Sequence, residues 1–408
     1  MIWSPAKANA SGATETGMAR LALGDDDKKA RDWFCEEMSS LGCDVKVDAM
    51  GNTFAVRPGK NAGPPTAMGS HLDTQPTGGC YDGILGIHAA VEAMRTMRDA
   101  GYEAKYPVAV VNWTNEEGAR FPKSLHGSSV WAGDLNLEAA YALKDVADPS
   151  KTAGAELERI GYKGTLPADA RQNPLAAHFE LHIEQGPILE GEDAAIGVVS
   201  GGQAYKWLRC KISGRDSHAG TTPLAYRADA MLGAARIIAA CHDVAAKHSG
   251  VATTGILTLE PGSINTIPHT VEFTIDIRHP DPAAVRAMEA DIRTLSSSLL
   301  QTGNKWECKV DFEEMFDAPA AIFAMECRDA IREAAIASVG EGKVRELVSG
   351  AGHDSCSTSK HCPTGMVFVP CKDGASHTPV EYASPEACAN GAQVLMDAAL
   401  LFDSRREK

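Results

Sequence analysis

The sequence predicts an α/β protein in which a catalytic domain is interrupted by a compact α+β module. Short apolar runs such as YPVAVVNW (106–113) are rich in β-branched and aromatic residues, as in strands covered on both faces. They alternate with helical spacing, as at Ile84, Ile87, Val91 and Met94, the order expected of layered α/β folds. From Ala204 the pattern changes to half-exposed alternation in AYKWLRCKIS, and a β-α-β-β-α run follows, which describes a self-contained module. With 408 residues the chain also exceeds what one core usually supports. The expected boundaries are 1–203 with 324–408 for the first domain and 204–323 for the inserted one.

In chain order, Asp25 to Leu41 forms a charged amphipathic helix, followed by strands at 44–47, 53–57 and 66–70. The last of these leads directly into His71-Leu72-Asp73-Thr74. Turn-rich Thr77 to Gly83 precedes the helix that begins at Ile84. HFELHI (178–183) alternates, with Phe179, Leu181 and Ile183 facing one way and His178, Glu180 and His182 the other. In the module, a helix at about 223–247 opens on Thr221-Thr222-Pro223, a helix-start signal. Strands at Thr254 to Leu259 and 271–277 and a helix at 281–300 complete it. Helix and strand patterns resume after about 324, and a helix near 385–402 closes the chain.

A net charge of -15 gives no broad attraction for phosphate backbones or anionic lipid, which argues against nucleic acid and membrane partners. No run approaches the ~20 apolar residues of a membrane span. The opening MIWSPAKANASG lacks a basic segment followed by an apolar one, and DSRREK carries no prenylation box, so a cytoplasmic protein is expected. The 11 cysteines are scattered without a CxxC pair, which predicts reduced thiols. GxGxxG, the Walker loop, GxSxG and HExxH are absent.

The chemistry concentrates at predicted strand ends. Glu116 and Glu117 follow the YPVAVVNW strand in NWTNEEGARF, at the end where α/β sheets collect catalytic groups. Alone, such a pair reads as a solvated loop; with a cation it becomes a site. His71 and Asp73 in GSHLDT, Asp82 in YDG, His182 in LHIEQG and His377 in ASHTPVEY supply the partners. Each histidine alone reads as structural, but every one lies at a strand end or in a Gly-rich loop. Imidazole nitrogens and carboxylate oxygens suit zinc, manganese, cobalt or nickel, and an aspartate can bridge two ions.

The order GSHLDTQP, GGCYDGILG, NEEGARF, HFELHIEQGPILE, HAGTTP, INTIP, DIRHP, AGHDS and KDGASH strongly resembles the amidase/hydantoinase/carbamoylase branch of the aminoacylase and carboxypeptidase-like dinuclear metallohydrolases. Within it the chain looks most like β-ureidopropionases and N-carbamoyl-L-amino acid hydrolases. The resemblance runs from Gly17-Met18-Ala19-Arg20-Leu21 to the last helix. It implies a mixed-sheet, zinc-peptidase-like catalytic domain and a ferredoxin-like inserted domain that serves as lid and dimerisation element of a homodimer. By resemblance, His71, Glu117, His182 and His377 would be terminal ligands of two divalent ions, most like zinc, with Asp82 bridging. Glu116 would be the general base, and Asp73 would orient His71. His218 would stabilise the oxyanion, while Arg278 and Asn265 would clamp the substrate carboxylate, with Gln185 and His353 as further substrate contacts.

The implied reaction is hydrolysis of the carbamoyl C–N bond of N-carbamoyl-β-alanine or N-carbamoyl-L-amino acids to amino acid, ammonia and carbon dioxide. An allantoate or ureidoglycine-type amidohydrolase, an N-acyl amino acid amidase and a non-catalytic ligand-binding relic are the alternatives. Without the resemblance, Arg278 reads equally as one half of a surface salt bridge. His88, on the same face as Ile84 and Val91, reads as a core histidine. Cys80, two residues before Asp82, is a minor candidate for approaching the metals. The middle of 377–382 departs from the dizinc β-ureidopropionase pattern and bears on substrate preference.

Overall fold

The computed structural model describes residues 17–407; the MIWSPAKANASG segment lies outside the described residues. The chain divides into two compact units, 1–201 with 322–408 and 202–321. In the first unit come α1 (Asp25–Ser40), β1 (Asp44–Val47), β2 (Thr53–Arg57), β3 (Thr66–His71), α2 (Ile84–Asp99), β4 (Val108–Trp113), β5 (Ala177–Ile183) and β6 (Ile196–Gly202). The second unit contains β7 (Ala204–Ser213), β8 (Ser217–His218), α3 (Ala230–Lys247), β9 (Val251–Thr253), β10 (Leu257–Glu260), β11 (Thr266–Ile267), β12 (Thr270–His279), α4 (Pro282–Leu300) and β13 (Lys309–Ala318). The first unit resumes with α5 (Met325–Val339), β14 (Val344–Ser349), β15 (Thr364–Val369) and α6 (Pro385–Arg405). Among the described residues no helix is long and apolar enough to cross a membrane.

The sheet of the first unit runs β1-β2-β4-β3-β5-β15-β6, with β14 also on β6. Its centre is parallel: β3 pairs in parallel with β4 and β5, and β15 with β5. Its margins β2 and β6 run antiparallel to their neighbours. Every residue of β3, β4, β5 and β15 is buried, which explains why those strands read as apolar runs. Phe34, Met94, Phe179, Leu181, Val367 and Leu395 belong to the core between α1, α2, α5, α6 and one sheet face. Four parallel strands thus present their carboxyl ends on one edge, the edge where ligands gather in such sheets.

The second unit is an antiparallel sheet, β10-β12-β7-β13, with β9 on β12. α3 and α4 cover one face through Ile237, Val244, Val285, Met288 and Ile292, packed on Leu208, Cys210, Phe273 and Ile275. The expected helix start at Thr221-Thr222-Pro223 is corrected. Pro223 precedes a 3₁₀ turn at Leu224–Tyr226, and α3 begins after Asp229, whose carboxylate accepts the Leu232 N–H. The side-chain cap outcompetes the proline signal because it satisfies an orphan amide of the first turn. The expected strand at 254–259 is found only as β10 from Leu257, and the separate β9 ends before it at Thr253.

Candidate metal centre

Each loop that leaves a central strand contributes to one cluster. β3 ends on His71, β4 runs on to Glu116 and Glu117, β5 carries His182, and the chain after β15 reaches His377. Asp82 enters from the loop before α2. Gly83 must follow it: its φ is +66° and a Cβ there would fall 2.3 Å from the His71 ring, so only glycine lets the loop close on the imidazole. The cluster resolves into two groups that share Asp82, namely His71, Asp82 and His182, and Asp82, Glu117 and His377.

The first group is buried. Asp82 Oδ1 lies 3.4 Å from His71 Nε2 and 3.1 Å from His182 Nε2. Both rings are fixed from behind, because His71 Nδ1 donates to the Asp73 carbonyl at 2.9 Å and His182 Nδ1 to the Ile183 carbonyl at 2.8 Å. With the proton on Nδ1, each Nε2 presents a lone pair, the tautomer that ligates metal. His182 Nε2 accordingly accepts the Gly83 N–H, and His71 Nε2 is buried without a hydrogen-bond partner. Two imidazole nitrogens and a carboxylate therefore converge on one space, a donor set that could hold a metal ion. The pKa directions carry the same message. Burial would lower His71 and His182, but Glu116 and Asp82 for the first, and Asp82 for the second, overcome it and raise both. Burial would raise Asp82, and His182, His377 and His71 drive it well below the usual range.

The second group is more open. His377 Nε2 is 3.4 Å from both Asp82 Oδ2 and Glu117 Oε2, with half of its side chain exposed. Here side-chain amides donate to the acids: Gln185 Nε2 to Asp82 Oδ2 at 2.7 Å, and Gln75 Nε2 to Glu117 Oε2 at 2.7 Å. Burial lifts Glu117 to about 7, and the Asp82 hydrogen bond lifts His377 to about 9. Nitrogen and oxygen donors of this kind suit zinc and its first-row neighbours.

Glu116 lies beside the first group, its Oε2 3.6 Å from His71 Nε2. It is buried, and burial pushes its carboxyl well above the usual range. Asp73 meets the expectation in a different way. It holds His71 through its backbone carbonyl, while its carboxylate accepts the Glu116 and Glu117 N–H groups, each at 3.2 Å. Those amides leave the strand ladder at the end of β4 and need an acceptor. His353, expected as a substrate contact, is buried beside the cluster. Its ring is buried 4.6 Å from that of His182, with Nε2 bonded to Ser349 Oγ at 2.9 Å, so it packs against a candidate ligand and burial drops it to about 3.

Gln185 sits on Asp82 rather than apart from it. His88 stacks on Trp33 at 5.1 Å, as a core histidine does, and Cys80 belongs to neither group. The sequence reading passed over Gln75, Ser376 and Glu381. Glu381 accepts the Tyr81 and Asp82 N–H groups and the Ser376 hydroxyl, so it fixes the loop that carries the shared aspartate. A carboxylate four residues after His377 was the available signal. Asp354, buried, was also passed over, although it follows His353.

In the second unit, His218 and Asn265 come together. Thr266 pairs with His218, and the Ala219 N–H donates to the Asn265 carbonyl at 2.9 Å. His218 Nδ1 accepts the Gly220 and Thr221 N–H groups, which places its proton on Nε2. Arg278 lies apart. It is eight residues beyond Thr270 on β12, roughly 25 Å at the usual strand rise, and Asp276 holds its guanidinium at 2.7 Å. The salt bridge anticipated from sequence is present.

A mixed α/β unit that gathers nitrogen and oxygen donors around one shared carboxylate, with a second acid beside them, defines the class of metallopeptidase-like hydrolases. The chain belongs to Peptidase family M20/M25/M40, whose signature matches residues 67–401, and to its hydantoinase/carbamoylase amidase branch. It is 42% identical over 387 residues to the N-carbamoyl-L-amino-acid amidohydrolase of Rhizobium meliloti, covering 94% of this chain and 91% of that one. It is 35% identical over 388 residues to the ureidoglycolate hydrolase of Oryza sativa subsp. japonica, covering 93% and 79%. The crystal structure of an amidase of the hydantoinase/carbamoylase family from Burkholderia multivorans matches with a TM-score of 0.89 at 43% identity, covering 97% and 95%. The protein is an enzyme, a hydrolase of the amidohydrolase kind.

Proposed function

We propose that the enzyme hydrolyses the carbamoyl C–N bond of N-carbamoyl amino acids, releasing the amino acid, ammonia and carbon dioxide, with a pair of divalent ions held by His71, Asp82, His182, Glu117 and His377. The observation that carries this reading is the sharing of Asp82 between two ligand groups with Glu116 at 3.6 Å from His71. Two cations there would supply Lewis acidity, acidifying water and polarising a carbonyl. Glu116 takes a proton from the attacking water on Oε2 and delivers it to the departing nitrogen, the work of one carboxylate in general base and then general acid form. Its burial suits it to hold that proton between the two steps. Asp73 aims it by fixing the backbone of both glutamates.

His218, with its Nε2–H formed, is a donor for the oxyanion, and Arg278 is a fork for the substrate carboxylate. His218 lies on the two-stranded β8-β11 ladder and Arg278 on β12 of the larger sheet. A homodimer assembled through residues 202–321 belongs to the same reading. Relatives named as acting on N-carbamoyl-L-amino acids favour that substrate class. A relative named ureidoglycolate hydrolase keeps a ureido acid as the second reading.

Ammonia release from N-carbamoyl-L-amino acids, N-carbamoyl-β-alanine and ureido acids by metal-reconstituted enzyme tests the proposal, with Glu116→Gln as control. Release from a carbamoyl amino acid, reduced about 10²- to 10⁴-fold in the variant, is expected. Silence on all carbamoyl amino acids with two ions bound would overturn it, and release from the ureido acid alone would establish the second reading.

A further inference from the structure

Two arginines of the first unit, Arg20 and Arg31, are 0% exposed, a burial that guanidinium groups rarely reach unless their donors are used. Arg20 is stitched to the loop that leaves β3. Its Nε donates to the Leu72 carbonyl at 2.7 Å and its backbone N–H to Thr74 Oγ1 at 2.8 Å, and the Thr74 N–H returns to the Arg20 carbonyl at 2.9 Å. Leu72 stands between His71 and Asp73, one residue past the end of β3, where a carbonyl has left the strand ladder. The Arg20 guanidinium supplies the donor that the sheet no longer does.

Arg31 reaches the neighbouring strand. It lies one turn after Asp27 on α1, and Asp27 Oδ2 takes its Nε at 2.8 Å. Its Nη1 donates to the Gly51 carbonyl at 2.8 Å and its Nη2 to Thr114 Oγ1 at 3.3 Å. Thr114 follows β4 directly and precedes Glu116 by two residues. One rigid fork thus joins α1, the turn before β2 and the strand end that carries the glutamate pair. Lysine, a point charge on a flexible stem, does not match three acceptors spread around the edges of a plane. Asp27 and Asp73 are buried as well and act on both guanidiniums, so two buried cations face two buried carboxylates. Asp73 is also the acceptor of the Glu116 and Glu117 N–H groups.

We infer that Arg20 and Arg31 are positioning residues for the reaction: Arg20 sets the backbone of the His71 loop, and Arg31, through Thr114, sets the strand end from which Glu116 reaches toward that ring. The inference rests on the roles proposed above for His71 and Glu116 and adds the residues that hold them. The two roles are separable, because His71 serves an ion and Glu116 a proton. Loss of the Arg20 contact should be read in metal affinity, and loss of the Arg31 contact in turnover.

The experiment uses Thr114→Val, Thr114→Ser, Arg31→Lys and Arg20→Lys. It measures zinc binding by equilibrium dialysis, kcat and KM on N-carbamoyl-L-amino acids, and amide hydrogen exchange of residues 112–118 in the metal-stripped enzyme. Thr114→Val keeps the Arg31–Asp27 ion pair and the shape of the side chain and removes only the acceptor. It should retain both ions and its KM, lose about tenfold in kcat, and exchange the Glu116 and Glu117 amides faster. Thr114→Ser should restore most of both, and Arg31→Lys should follow Thr114→Val. Arg20→Lys should weaken one zinc about tenfold, within the usual loss when a ligand's outer support is removed. Unchanged kcat in Thr114→Val, unchanged zinc binding in Arg20→Lys, or parallel loss of zinc and turnover in every variant, as a purely structural role would give, would overturn the inference. The dialysis and exchange arms need no substrate. An enzyme silent on every carbamoyl compound would overturn the proposed reaction, while those two arms still decide the positioning.

Discussion

The two ligand groups share one aspartate and differ in almost everything else. His71 and His182 are buried, each imidazole is locked by a backbone carbonyl, and both Nε2 atoms face Asp82 Oδ1. His377 is half exposed while the Glu117 side chain is buried, and their side of the cluster is filled by donated amides from Gln75 and Gln185. A cation entering the first group meets ligands already aligned, whereas one entering the second must displace two amide hydrogen bonds and order a half-exposed imidazole. Preorganisation favours the first group. Asp82 belongs to both groups.

The largest effect should come from Asp82→Asn, which removes the shared charge. We expect both ions to be lost in equilibrium dialysis with metal analysis, and activity to fall at least as far as in Glu116→Gln, about 10²- to 10⁴-fold. His377→Ala and His182→Ala then separate the groups. The first should retain one tightly held ion per chain after brief chelation; the second should retain none, because the rigid position is broken and the adjustable one is weak alone. Equal retention in the two variants would break the comparison.

The first group was more legible in the sequence than its surroundings, for a physical reason. His71, Asp82 and His182 sit in strand ends and tight glycine loops, where local pattern and chemistry coincide. The residues that support them do not announce themselves. Glu381 reaches Asp82 from 299 positions away, and Gln75 touches Glu117 only because parallel strands bring β3 and β4 side by side. The sheet topology, which the sequence left open, decides those contacts. His353 and Asp73 show a related limit: their positions beside the cluster were readable, but which atom of each makes the contact depends on how the loops fold. β13 went unnoticed because its alternation, KVDFEEMFDA, breaks at Met315, the residue that the structure shows to be bulged.

A smaller effect is expected from Asp73→Asn, which tests whether the glutamate pair depends on its backbone anchor. Both carboxylate oxygens now accept amides; asparagine keeps one acceptor and turns an N–H toward the other amide. Because the carbonyl that holds His71 is unchanged, both ions should remain bound while kcat falls about 10- to 100-fold, the usual range for a residue that orients a metal ligand from behind. Loss of the first ion would show that the Asp73 side chain also shapes the rigid position.

The smallest effect concerns the foundation beneath the first group. On β5, His178, Glu180 and His182 form a buried polar row. Glu180 accepts from Ser70 and Ser355, and His178 Nε2 accepts the Trp113 indole N–H at 3.2 Å. Burial depresses His178 to about 4, against about 6.5 in the unfolded chain. Between those values the unfolded state binds the extra proton. This histidine therefore leaves stability intact above about pH 6.5 and lowers it as pH falls toward 4, by up to about 3 kcal/mol. Urea unfolding of the metal-stripped enzyme should show that loss between pH 6.5 and 4. His178→Gln, which preserves an acceptor for Trp113 but does not titrate, should be less stable at pH 7.5 and show a shallower decline with acid. His377 in the second group is half exposed, so in acid its ion should leave before unfolding and the first group's ion only with it. Simultaneous release of the two ions, well ahead of unfolding, would show that the buried row does not hold the rigid position.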